Sequence, residues 1–292
     1  MAPVPGRAVT LLVTAFTMLA FAANSLLCRA ALGPGSVDAA SFTLLRIGSG
    51  AALLGLLAAA RRAPAPASAP APWISGACLF LYAAGFSFAY GTLETGTGAL
   101  LLFGTVQATM IVLAHRSGER FRIAEGIGFG AALAGLLWLV APGVRAPSPG
   151  GAALMIGAGI AWGFYSLRGR GIADPLGGTA RNFAAAVPMA LALSLVFAAS
   201  ARLTTRGVVL AVVSGAVTSG LGYVLWYHAL RGLTWIRAAI VQLAVPAIAA
   251  AGGVVLLGEP VTARLVLSGL LILGGVAVAV AGRERPRRES DR

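Results

Sequence analysis

At 292 residues, 58% of them hydrophobic and only 11% charged, with a mean hydropathy of +0.88, the chain has too little polar surface for a water-soluble globule. Such globules usually carry about a quarter charged residues. All 22 of its basic residues are arginine and its formal charge is +13. These arginines fall in short clusters between apolar runs rather than in one patch, which excludes a nucleic-acid surface despite a pI near 11.5.

A bilayer core of about 30 Å is crossed by ~20 apolar residues at 1.5 Å each. Applied to the gaps between charges, that ruler predicts an all-α integral membrane protein with ten spans: 8–28, 39–60, 73–92, 96–115, 124–142, 151–168, 178–199, 207–230, 234–257 and 262–282. The first run reads as an uncleaved helix rather than a signal peptide, because it continues past Asn24 and nine more spans follow. Arg61 to Pro72 (RRAPAPASAPAP) alternates proline and is predicted to be an extended connector. The fourth and ninth spans begin almost where their predecessors end, so tight turns are expected there. The basic tail 284–292 is expected to be disordered beside anionic headgroups. Cys28 and Cys78 fit no metal or disulfide spacing.

Ten spans put both termini on one side. With that side cytoplasmic, 16 arginines fall inside and 5 outside, with Arg46 alone within a span. The bias predicts cytoplasmic N- and C-termini.

The chain also pairs with itself at an offset near 140. Gly118-Glu119 falls on Gly258-Glu259, Leu133-Ala-Gly135 on Leu273-Gly-Gly275, and Ala89 and Ala99 on Ala229 and Ala239. This divides the chain into a first five-helix repeat (7–142) and a second (150–283). Five being odd, the second repeat must insert upside down, a plan recurrent in secondary transporters with a midplane site between the repeats.

These features carry a family resemblance. The two Gly-Glu pairs, Gly135 and Gly274-Gly275, Ala161-Trp162 with Tyr165, Tyr227-His-Ala229-Leu230, Pro246 and Arg46 together resemble the EamA-type members of the drug/metabolite transporter superfamily. Within it, the chain is similar to the YddG-type exporters of aromatic and neutral amino acids. The resemblance implies a bacterial inner-membrane carrier that exports amino acids or related metabolites by alternating access. One departure stands out: Thr105-Val106-Gln107 lies where the ninth span has Val245-Pro246-Ala247, so Pro246 is a candidate hinge without a counterpart in the first half.

Ionisable and amide groups within the bilayer are the candidates for chemistry. All nine acidic residues are predicted to sit in loops, at span ends or in the tail, so no mid-membrane carboxylate is available for proton antiport, and uniport or exchange is expected. His228 is expected to be a structural span-end histidine. Arg46 reads either as an anchor for a substrate carboxylate or as a helix-end arginine reaching the headgroups along its stem. The candidate cavity residues are Asn24, Tyr82, Phe86, Tyr90, Gln107, Trp162, Tyr165, Tyr223, Trp226, Tyr227 and Gln242. Tyr82, Phe86 and Tyr90 share one helix face at i+4 spacing, and uncompensated amides in hydrocarbon are costly. Tyr90 and Tyr227 could instead belong to interfacial belts. The stripes Gly126/Gly130/Ala134 and Gly159/Gly163 have close-packing spacing, expected inside a monomer, with a homodimer as the alternative. No nucleotide or metal motif occurs, so no cofactor and no enzymatic activity are expected; the partners are a small-molecule substrate and lipid.

Overall fold

The computed structural model describes residues 7–61, 72–116, 123–141, 146–169, 172, 174–230, 241–242 and 244–281. The proline-rich segment, Gly118-Glu119, the tight turn expected after the eighth span with the start of the ninth (231–240), and the tail lie outside the described residues. The described chain is helical throughout, without β-strands. Its helices are α1 (Arg7–Leu32), α2 (Ala39–Ala60), α3 (Pro72–Tyr90), α4 (Thr95–Arg116), α5 (Ile123–Val140), α6 (Pro149–Arg168), α7 (Pro175–Val196), α8 (Thr205–Ala229), α9 (Ala244–Leu257) and α10 (Ala263–Ala281). Among the described residues six are long and apolar enough to cross a membrane: α1, α2, α3, α6, α7 and α8. Shorter apolar stretches occupy 126–139, 244–257 and 263–275.

Local chemistry sets the helix starts. Asp38 caps α2 by accepting from the Ser41 N–H (2.9 Å), and Ser148 caps α6, with Pro149 at its first position, by accepting from the Gly151 N–H (3.2 Å). Thr204 caps α8, its hydroxyl oxygen accepting from the Gly207 N–H (3.1 Å). The expected tight turn between α3 and α4 is present, the Leu93 N–H donating back to the Ala89 carbonyl (2.9 Å).

The surface differs from that of a soluble protein: it is apolar, while several polar groups are buried within an otherwise hydrophobic core. Val196, Val255 and Ile123 are among the most exposed apolar side chains, whereas Thr17, Asn24, Arg46, Ser87, Gln107 and Ser214 are buried. An apolar exterior needs lipid around it, and interior polar groups then need partners from neighbouring helices.

The tightest helix pairings run between the two halves of the chain: α5 with α10, α2 with α7, α3 with α6, and α1 with α8. Small residues let these backbones approach. Gly50 of α2 faces Phe183 of α7 and the Gly215 carbonyl of α8. Gly159 and Gly163 of α6 receive Thr105 and Thr109 of α4, so that stripe packs within the chain as expected. The other stripe does not. Gly126, Gly130 and Ala134 are exposed, and none of the described residues meets the two glycines.

Helix α8 changes pitch. Its first part (Thr205–Val213) and last part (Gly222–Ala229) are α-helical, but Ser214–Leu221 forms a π-helix. With i→i+5 bonding, the residue five positions on falls nearly under the first. Ser214, Thr218 and Ser219 therefore all face Asn24 of α1. Gly215 in this segment lies against the Arg46 carbonyl and the Ser49 hydroxyl of α2. A Gly215→Ala substitution would drive a methyl into backbone that cannot swing aside. It is expected to cost ~1–3 kcal/mol, read as a lowered melting temperature in detergent.

At one end of the bundle the loop before α2 is strapped to the loop before α8. Val37 and Leu203 form an antiparallel bridge, the Asp38 N–H donates to the Arg202 carbonyl (3.1 Å), and the Arg202 N–H donates to the Asp38 carboxylate (2.9 Å). Burial acts to raise the Asp38 pKa, but the hydrogen bonds from the Ser41 and Arg202 N–H groups outweigh it and hold it below the ordinary carboxylate value. A lowered carboxyl pKa stabilises above the unfolded value and is lost as pH falls through the folded one. Thermal stability is therefore expected to decline as pH drops below ~4, and Asp38→Asn should remove that component of the pH dependence.

Candidate functional site

Four helices build an aromatic box at the centre of the bundle. Phe21 of α1 meets Trp162 of α6 and Tyr223 and Trp226 of α8 edge-to-face, with centroids 6.0, 5.9 and 5.9 Å away. Trp162 packs against Tyr82 of α3 (4.8 Å), Tyr223 (4.7 Å) and, stacked, Tyr165 (5.4 Å). Helical periodicity places them: Phe21, Asn24 and Ser25 share one face of α1, and Tyr82 and Phe86 one face of α3. The cavity they enclose is lined by Phe21, Asn24, Ser25, Tyr82, Phe86, Leu102, Phe103, Trp162 and Tyr223. It is closed down to about 10 Å³, about the room one water needs.

Arg46 stands behind two of these walls. Its side chain is buried, with the residue 1% exposed, so it does not reach the headgroups. Its Nε donates to Ser219 Oγ (2.9 Å) and its Nη2 to the hydroxyls of Tyr82 and Tyr223 (3.1 Å each). Its guanidinium carbon lies 5.1 Å from the Tyr82 ring centroid and 4.9 Å from that of Phe86, over their faces. Nη1 is buried and has no hydrogen-bond partner among the described residues. Among the described residues Arg46 bonds to no carboxylate. A cation held by hydroxyls and aromatic faces alone, with one N–H group uncommitted, is the arrangement that attracts an anionic group.

Asn24 organises the facing wall. Its Oδ1 accepts from Ser214 Oγ (2.6 Å), Thr218 Oγ1 (3.0 Å) and, more weakly, Ser219 Oγ (3.4 Å). Ser219 thus links Asn24 to Arg46.

The candidates divide accordingly. Asn24, Tyr82, Phe86, Trp162 and Tyr223 line the cavity, Arg46 backs it, and Tyr165 and Trp226 form the next ring layer. Tyr90 and Tyr227 do not line it, nor do they form an interfacial belt, since both are buried. Tyr90 packs on Phe86 (4.7 Å) and donates to the Thr95 carbonyl (3.3 Å), tying off the turn after α3. Tyr227 lies 6.5 Å from Tyr165 and against Gly169. Gln107 and Gln242 are buried off the lining, Gln107 with an Nε2 that lacks a partner. Pro246 lies in an apolar crevice of about 420 Å³ beside α10. Sequence reasoning passed over Phe21, Ser25, Leu102, Phe103 and Ser219. Phe21 and Ser25 share a helix face with Asn24, and Ser219 lies four residues before Tyr223 on one face, so all three were findable.

The same end that carries the strap holds a second cross-link. Glu259, just after α9, accepts from the Thr95 N–H with both carboxylate oxygens (3.0 and 2.8 Å), from Thr95 Oγ1 (3.1 Å) and from Arg29 Nε (3.2 Å). Arg29 also donates to the Tyr90 carbonyl (3.1 Å). Gly258, at φ +68°, supplies the left-handed turn that brings Glu259 to the α4 N-terminus. The second Gly-Glu motif is therefore a helix cap that joins the two halves of the chain.

Residues 149–281, from the start of α6 to the end of α10, match the EamA-like transporter family. The uncharacterized protein PA1977 of Pseudomonas aeruginosa is 52% identical over 274 residues, covering 94% of this chain and 95% of that protein. The chain belongs to the EamA-like transporter family. A solved crystal structure, described only as that of a protein, shares the fold, with a TM-score of 0.67 at 22% identity over 96% of this chain and 100% of that one. As an EamA-like transporter it is a multi-pass membrane protein whose partners are a small-molecule substrate and membrane lipid. The closed aromatic box is the candidate site for such a substrate.

Proposed function

We propose that this EamA-like transporter exports aromatic and neutral amino acids, or related small metabolites, from the bacterial cytoplasm across the inner membrane. It works as a uniporter or exchanger by alternating access. The observation that carries this reading is Arg46: a buried guanidinium with an uncommitted Nη1, set directly behind the Tyr82 and Tyr223 walls of an aromatic cavity. Buried cations without counter-charges are costly and persist where they serve a function. In this reading the carboxylate of the substrate completes the guanidinium, and its side chain stacks among Phe21, Trp162 and Tyr223.

The packing supports ten spans in two inverted halves. Exchanging the halves leaves α5–α10 and α2–α7 unchanged and turns other major contacts into observed ones: α3–α6 becomes α8–α1, α4–α6 becomes α9–α1, and α3–α7 becomes α8–α2. Two such halves in different conformations would interchange to open the site alternately to each side. In this reading the arginine bias places both termini in the cytoplasm, Pro246 serves as a one-sided hinge, and Gln107 and Gln242 join the site when it opens.

The test is reconstitution into liposomes with a panel of neutral and aromatic amino acids, phosphorylated sugars and cationic drugs. Saturable transport of carboxylate-bearing aromatic compounds is expected. Transport confined to phosphorylated sugars or to cationic drugs would overturn the reading, and strict dependence on an imposed proton gradient would overturn uniport.

A further inference from the structure

Among the described residues four buried side-chain polar atoms lack a hydrogen-bond partner, and two of them, Arg46 Nη1 and Ser25 Oγ, belong to the aromatic box. Ser25 is 1% exposed and lines the cavity from α1, beside Asn24. Leaving a buried hydroxyl unpaired is costly. A helical serine or threonine can satisfy itself on the carbonyl one turn back, as Ser87 does on Ala83 (2.8 Å) and Thr17 on Val13 (2.7 Å). Ser25 makes no such bond. Four of the lining residues carry a side-chain oxygen: Asn24, Ser25, Tyr82 and Tyr223. The two tyrosine oxygens accept from Arg46 and so sit against a positive charge, and Asn24 Oδ1 already takes three hydroxyls. Ser25 Oγ is the lining oxygen whose lone pairs stay open. The neighbouring Tyr90 hydroxyl does not claim them, since it gives its proton to the Thr95 carbonyl (3.3 Å). The two uncommitted atoms are offset along α3: the guanidinium lies over Tyr82 and Phe86, and Ser25 stands towards Tyr90, which packs on Phe86. A head group with a donor beside its carboxylate can reach from one to the other.

We infer that Ser25 is a specificity-determining residue whose Oγ accepts a hydrogen bond from the α-ammonium of the cargo while Arg46 holds its carboxylate. The inference rests on the carboxylate-binding role proposed for Arg46 and deepens it, because it selects α-amino acids from among aromatic carboxylates. Arg46 by itself does not tell L-phenylalanine from 3-phenylpropionate, which has a hydrogen in place of the ammonium. Ser25 does, through a charge-assisted bond that the second compound cannot make. The charges agree with this division of labour. A buried guanidinium repels a lone cation, so an ammonium is admitted only with a carboxylate that neutralises Arg46 first. A zwitterion brings both, and it leaves neither of the uncommitted atoms unpaired.

The experiment measures binding of L-phenylalanine and 3-phenylpropionate to the full chain in detergent at neutral pH, by titration calorimetry, for the parent protein, Ser25→Ala and Arg46→Gln. Hydrogen bonds to charged groups are the stronger kind, so Ser25→Ala is expected to raise the Kd of L-phenylalanine on the order of ten-fold or more. The Kd of 3-phenylpropionate should stay within about two-fold, because Ser25 has nothing to bond in that ligand. Arg46→Gln should weaken both. An unchanged Kd for L-phenylalanine in Ser25→Ala, or an equal loss for both ligands, would overturn the inference, the second outcome making the hydroxyl a packing group of the box. The parent protein supplies a check that needs no variant: it must bind L-phenylalanine more tightly than 3-phenylpropionate, and the reverse order or equality also overturns the inference. Each of these results leaves the carboxylate reading standing as long as Arg46→Gln weakens both ligands. If neither compound binds the parent protein, the proposed function fails and the role of Ser25 fails with it.

Discussion

Arg46→Gln is expected to lower transport of carboxylate substrates by at least 30-fold while leaving the melting temperature at or above that of the parent protein. The two effects diverge for a physical reason. Removing one partner of a desolvated, hydrogen-bonded charge pair costs ~2–5 kcal/mol of binding, so a substrate that bonds to this guanidinium loses that much. Folding has the opposite stake. The guanidinium is buried, its Nη1 has no partner, and none of its other partners is charged. Replacing a buried charge by a neutral side chain of similar reach is often neutral or stabilising. Glutamine can still bond to the Ser219, Tyr82 or Tyr223 hydroxyls. Arg46→Lys should fall between the two, since a point charge replaces the planar fork. Liposome transport and thermal unfolding of the same preparations check this together. Loss of stability with unchanged transport would make Arg46 a structural post joining α2, α3 and α8.

Glu259→Ala is expected to be the most destabilising single loss outside the helix interiors, at ~2–3 kcal/mol. The carboxylate both caps α4 and neutralises Arg29, and both groups are mostly shielded, the Glu259 side chain 11% and that of Arg29 23% exposed. A negative charge at a helix N-terminus gains from the helix dipole and from charge-assisted bonds. Its removal leaves the Thr95 N–H and the Arg29 guanidinium to seek water at the end of the bundle. Glu259→Gln keeps an acceptor for Thr95 and loses the ion pair, so it should cost about half as much. Melting temperatures in one detergent would rank the three proteins. A Glu259→Ala protein as stable as its parent would mean that this cross-link contributes nothing to holding the halves together.

Much of the architecture was legible in the residues because membrane helices obey a length rule. The predicted span 39–60 coincides with α2, and those at 73–92, 96–115 and 151–168 lie within two residues of α3, α4 and α6. The first span ran short, since α1 continues to Leu32: Arg29 does not end the helix but bonds sideways to Glu259 and the Tyr90 carbonyl. The aromatic box was legible in outline, because i+4 spacing put Tyr82 with Phe86 and placed Trp162 and Tyr223 on apolar spans.

By itself the sequence determined that the chain lives in lipid, where its helices run, and which few polar residues would be expensive there. These follow from local composition: hydrophobic length and charge do not depend on which helix sits beside which. Only the tertiary structure decided where Arg46 points, that Ser219 joins it to Asn24, that Tyr90 and Tyr227 leave the cavity, and that Gly126 and Gly130 face outwards. Those outcomes depend on the rotation of each helix about its axis and on the local π pitch of α8. Both are set by which side chains of distant segments fit together. A uniformly apolar helix has no polar face in its sequence to announce its rotation.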